Sequence, residues 1–166
     1  FCAVSFVVGA SFNDMAAFTK DAHLKVKSYK KETSPVLQRH FGMAPDEAGY
    51  CLRSMLAVGR QKKAQITTYF PPDIGSNLTR EDFSDVLIFQ SVQRRLGIRI
   101  SVAHCTVRAD IADERTAADL DIAVGSAVLV VEMLYQSADQ RNVEFSIARH
   151  PANLFSITYD APNDLI

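Results

Sequence analysis

The sequence predicts an α+β domain built on a largely antiparallel sheet with helices packed around it. Three observations predict it. Segments that alternate with a period of two come in pairs at hairpin spacing. Stretches with helical periodicity are inserted singly, not after every strand as in a parallel α/β chain. No internal repeat or low-complexity stretch divides the chain, and 166 residues suit one domain. Hydrophobic residues make up 48% and charged residues 22%, which fits a folded globular chain. Eighteen Lys+Arg against nineteen Asp+Glu leave a net charge of −1. That balance excludes a wholly basic nucleic-acid footprint and a charge-driven disordered chain.

The elements follow in order. Ser11 is a plausible N-cap for a helix over 12–22, whose Phe12, Met15, Ala16 and Phe18 share a stripe. Residues 23–31 alternate as a half-exposed strand. Thr33, Ser34 and Pro35 start a helix that Gly42 and Pro45 break. Residues 50–58 form a strand with Leu52, Ser54 and Leu56 on one face and Cys51, Arg53 and Met55 on the other. A polar loop at 59–63 leads into a strand over 64–70, which Pro71 and Pro72 stop. The strongest helical pattern runs over 80–96, with Arg94 and Arg95 in its last turn and Gly97 after it. Residues 98–107 read as a strand and 112–120 as a short polar helix. The apolar run 127–135 suits a central strand, 137–141 a turn, and 143–149 and 154–159 the last strands.

Many chemistries lack their motifs. There is no Gly-rich dinucleotide or P-loop phosphate motif, no HExxH and no GxSxG. His23, His40, His104 and His150 form no ligand pair at helical spacing. Cys2, Cys51 and Cys105 stand far apart, so neither a metal site nor a disulfide framework is expected, and no catalytic set can be assembled. No stretch approaches the ~20 apolar residues of a membrane helix. The chain opens without Met, so an upstream segment is expected. Arg53 on one strand and Glu144, with Ser146, Ala148 and His150, on another are polar groups in apolar surroundings. They suit a solvated sheet face or an enclosed cavity that orients a small ligand, and periodicity does not choose.

Several segments together resemble the UTRA domain, the effector-binding domain of the HutC/FarR subfamily of GntR-type transcriptional regulators. They are Ser11-Phe12, the strand end Tyr69-Phe70-Pro71, the helix end Arg94-Arg95-Leu96-Gly97-Ile98, the stretch from Leu120 to Leu129 with Gly125, then Val143-Glu144-Phe145-Ser146 and Leu154-Phe155-Ser156-Ile157. The similarity covers 11–160, leaving 1–10 as a linker remnant or first strand and 161–166 as a tail. It implies a chorismate lyase-like fold, a small-molecule effector, a homodimer and a cytoplasmic setting. It also implies DNA contact only through a winged-helix domain N-terminal to this sequence, and neither cofactor nor catalysis. A chorismate-lyase-like enzyme and a free-standing binding module are the competing functions.

The resemblance also implies site residues. Glu144 falls where the family has an effector-contacting Glu, and Arg53 where it has an Arg that faces an anionic effector. Ser11 and Phe12 match a loop whose N–H groups can cup an anion. His150 shares Glu144's strand face, and Leu87 and Phe89 would wall the pocket between the sheet and the helix over 80–96. Leu87-Ile88-Phe89 and His150-Pro151-Ala152-Asn153 replace hydroxyl, Arg and Asp positions of sugar-phosphate sensors. With Arg53, that points to a small organic or aromatic acid.

Overall fold

The computed structural model describes residues 4–7 and 21–158; of 4–7, only the backbone pairing is described. Its centre is a six-stranded sheet in the order β2-β3-β4-β7-β6-β5, every neighbouring pair antiparallel. These strands are β2 (Ala22–Glu32), β3 (Gly49–Val58), β4 (Gln61–Phe70), β5 (Ile100–Ile111), β6 (Ala127–Ser137) and β7 (Asn142–Pro151). A separate two-stranded ribbon joins β1 (Val4–Val7) to β8 (Phe155–Thr158) in parallel. The α+β, largely antiparallel expectation holds. The expected helix over 12–22 lies outside the described residues.

The β3–β4 hairpin is tighter than the polar loop suggested. Val58 pairs with Gln61, so Gly59 and Arg60 alone make the turn, with Gly59 at φ 57° in the left-handed region that such turns demand. Lys63 is an extra residue between the pairs Leu56–Ala64 and Ala57–Lys62. This bulge leaves the Lys63 carbonyl outside the ladder.

The back face of the sheet carries two short helices. In α1 (Pro35–Phe41) Ser34 caps the start through Val36 N at 3.2 Å, and Gly42 ends it at φ 65°. In α4 (Glu114–Leu120), capped by Asp113, Ala117 and Leu120 pack with Met55, Val128 and Val130. The buried Gln65 ties this helix down, donating to Asp119 at 2.7 Å and accepting from Thr116 Oγ1 at 3.2 Å. Lys27 also reaches Asp119.

The front face holds the larger core, in which Leu52, Phe70, Ile74, Phe83, Phe89 and Val92 meet. Here α2 (Pro72–Gly75) precedes α3 (Ile88–Leu96), which is only half the helix expected over 80–96. Thr79 and Asp82 form a capping box around a single 3-10 turn, and Phe83 then leaves helical geometry. Its ring fills the core, 5.0 Å from Tyr29 and 5.9 Å from Phe70. Asp85 accepts from Ser91 Oγ at 2.8 Å and from Arg94, holding the strap over 83–87 against the next helix. The apolar spacing is continuous across this break because both pieces bury the same side.

Candidate functional site

β7 sets the site. Strand alternation puts Glu144, Ser146, Ala148 and His150 on its front face. The register brings Tyr135 beside Glu144, Met133 beside Ser146 and Val131 beside Ala148. On the other side, Thr68 meets Ser146 and Ile66 meets Ala148, with Leu56 beyond on β3. Above this surface lie Val86, Leu87 and Ile88, and Phe155 of β8 closes one end, around a cavity of about 100 Å³. Leu87 is the extended residue just before α3, so the break that shortened the expected helix is what brings the 86–88 strap over the cavity.

The cavity is apolar apart from the strip along β7. Glu144 is 1% exposed. Its Oε1 accepts from Ser146 Oγ at 3.0 Å, and Ser146 is 2.8 Å from Thr68 Oγ1. Its Oε2 has no hydrogen-bond partner among the described residues. Burial pushes the carboxyl up to about 8, against the pull of Ser146. A buried polar atom left open this way is costly unless a ligand or water completes it.

His150 stands at the far end, six residues or about 20 Å along the strand. Its Nδ1 is 3.1 Å from the Lys63 carbonyl freed by the β4 bulge. A carbonyl only accepts, so Nδ1 carries the proton and Nε2 keeps a lone pair. Burial lowers the imidazole to about 4, and its ring stacks on Phe155 with centroids 4.0 Å apart.

Of the residues expected from sequence, the structure therefore brings Glu144, His150 and Leu87 to one cavity. Arg53 is the main correction. It lies on the back face with Cys51 and Met55, pairing across the sheet with Thr67. Its guanidinium is engaged by Glu32 through two hydrogen bonds of 3.0 and 2.9 Å. It is a sheet-edge ion pair, and the basis for expecting an acidic ligand goes with it. Phe89 is a core residue stacked on Tyr135 at 5.1 Å, not part of the cavity wall. Ser11 and Phe12 lie outside the described residues. Sequence reasoning missed Tyr135, Met133, Leu56 and Phe155, which only long-range register places beside Glu144. Ser54, whose buried hydroxyl also has no partner among the described residues, does not line the cavity.

An antiparallel sheet enclosing an apolar cavity with a few converging polar groups defines a small-molecule-binding domain. The model of the UTRA domain matches residues 20–156, and the chain belongs to that family. The ligand-binding domain of a GntR-family transcriptional regulator from Bordetella bronchiseptica shares its fold, with TM-score 0.73 at 18% identity. Among curated proteins, the HTH-type transcriptional regulator Rv0792c of Mycobacterium tuberculosis is 30% identical over 118 residues. That alignment takes in 69% of this chain and 44% of the relative, so the chain matches less than half of it. Among solved structures, the transcriptional regulator YydK of Bacillus subtilis superposes with TM-score 0.80 at 18% identity. The superposition covers 95% of this chain and 68% of that one. The effector domain of PhnF from Mycobacterium smegmatis superposes with TM-score 0.75 at 16% identity, covering 95% and 98%. At such identities the structures share the fold alone. No helix of the described residues is long and apolar enough to cross a membrane.

Proposed function

We propose that the cavity over β7 binds the small-molecule effector of a cytoplasmic transcriptional regulator. Occupancy there would alter DNA binding by a winged-helix domain elsewhere in the protein. One observation carries this function: Glu144, on the lining of an apolar cavity, has a buried carboxyl oxygen with no partner among the described residues. A group left in that state suits completion by a ligand. Glu144, Ser146 and His150 would orient the ligand, and Leu87, Met133 and Phe155 would exclude water.

The domain binds its ligand without transforming it. A chorismate-lyase-like reaction would need groups to hold a dicarboxylate, and the described lining offers neither Lys nor Arg. Incubation with chorismate should release no pyruvate.

We also propose a homodimer. The apolar run Ala127–Tyr135 is paired on both sides within the sheet, to β5 and β7. Support comes from the family and from β5, which has no strand beyond it in the sheet among the described residues. A monomer in light scattering at high micromolar concentration would contradict the dimer.

The cavity is tested by filling it. Ala148 lines its floor, and Ala148→Leu adds three carbons there. A library screened by thermal shift should yield molecules that raise the Tm of the wild type and leave the Ala148→Leu variant unchanged. Ligands that stabilise both equally bind elsewhere.

A further inference from the structure

Building on the proposed role of the cavity as the effector site, we infer that its effector is an apolar organic amine whose ammonium group is received by the Glu144 carboxyl. Three features of the cavity select that chemistry.

The first is the direction of the hydrogen bonds along β7. Ser146 spends its proton on Glu144 Oε1 and takes one from Thr68. The hydroxyls are therefore committed, and the open position is Glu144 Oε2. At the other end, His150 gives its Nδ1 proton to the Lys63 carbonyl and presents an acceptor at Nε2. Once Glu144 is ionised, both poles of the cavity can accept a proton from a ligand.

The second is charge. The described lining contains no Lys or Arg. Arg53, the basic residue expected there, is behind the sheet on Glu32. By sequence, the stretches outside the described residues add Lys20 against Asp14, Asp160 and Asp164. A carboxylate or phosphate ligand would meet a buried carboxyl with no described counter-charge.

The third is the remaining surface. Tyr135 and Phe155 offer aromatic rings, and Met133, Ile66, Val131 and Leu56 offer aliphatic surface. An ammonium on a small apolar body is held well by such walls.

The charge balance is simple. Burial keeps the empty carboxyl largely protonated near neutral pH, its value standing at about 8. An arriving ammonium pairs with the ionised carboxylate, and the carboxyl proton leaves to solvent. The neighbouring Tyr135 hydroxyl stays protonated, since burial and Glu144 both raise it.

The test compares three probes with similar bodies: 2-phenylethylamine, 2-phenylethanol and phenylacetate, titrated calorimetrically into wild type and Glu144→Gln at pH 7. The amine should bind about tenfold or more tighter than the alcohol, and phenylacetate should give no binding. Repeating the amine titration in phosphate and in Tris should show release of close to one proton per site. In Glu144→Gln the amine should fall to the alcohol's affinity and release no proton. If the alcohol matches the amine, or phenylacetate binds as tightly, the amine assignment is overturned while the cavity remains the site. If none of the three binds the wild type, the amine assignment is overturned, and the screen against Ala148→Leu decides separately whether the cavity is the site.

Discussion

Ser146 donates to Glu144 Oε1 at 3.0 Å, while Glu144 Oε2 has no partner among the described residues. The two residues are neighbours on one face of β7, and both are buried. A half-satisfied carboxyl at this depth is a standing cost to the fold. Under the proposed function, a bound ligand would complete this carboxyl.

That cost depends on pH. Glu144 is raised from 4.5 to about 8, so between those values the folded chain binds more protons than the unfolded one. Stability is then fully present below about 4.5 and falls as pH rises to about 8. His150 is lowered from 6.5 to about 4, which gives the opposite slope: stability is lost as pH falls through that window. The two contributions oppose each other below about 6.5, and above it Glu144 acts alone. Urea unfolding at pH 6.5 and 8 should show the wild type losing stability relative to Glu144→Gln. Below 6.5, His150→Gln should hold up better than the wild type. Parallel pH profiles for wild type and Glu144→Gln would contradict the burial of this carboxyl.

Arg53→Ala should leave ligand binding intact. The bidentate pair with Glu32 is on the other side of the sheet and partly solvated, so its loss should cost about 1 kcal/mol of stability. A double-mutant cycle with Glu32→Ala should recover that coupling. Loss of ligand affinity in Arg53→Ala, with stability unchanged, would return this residue to the site.

Gly75→Ala should destabilise the front core. A Cβ there would lie 2.5 Å from the Tyr50 ring, in the same place where the Gly75 carbonyl accepts from Tyr29 OH at 2.7 Å. Tyr50 stacks on Tyr29 at 5.6 Å, so displacing it disturbs the aromatic cluster beneath α2. Overpacking of this kind costs about 1–3 kcal/mol, read as a lower urea midpoint. An unchanged midpoint would mean that the α2 approach is loose.

The fold was legible in the sequence because its signals are local. Alternation marked the strands, Ser34 and Gly42 bounded α1, and Gly97 ended α3. The site was legible within one strand: parity alone placed Glu144, Ser146 and His150 together. It failed across strands. Which face Arg53 shares is set by the registers of β3 on β4 and of β4 on β7, and the pairing Thr68–Ser146 joins segments 78 residues apart. No local signal fixes that register. The helix over 80–96 failed for a different reason. Phe83 and the Thr79–Asp82 capping box break it while the apolar spacing continues through the break, so the 86–88 strap over the cavity was read as ordinary helix.

The most direct test is a carbon-13 NMR titration of the Glu144 side-chain carboxyl, assigned by comparison with Glu144→Gln. In the ligand-free protein it should titrate near 8, and it should shift when a molecule that raises the wild-type Tm is added to saturation. Titration in the ordinary carboxylate range, with no response to any such ligand, would show that Glu144 is neither buried as described nor part of the binding site.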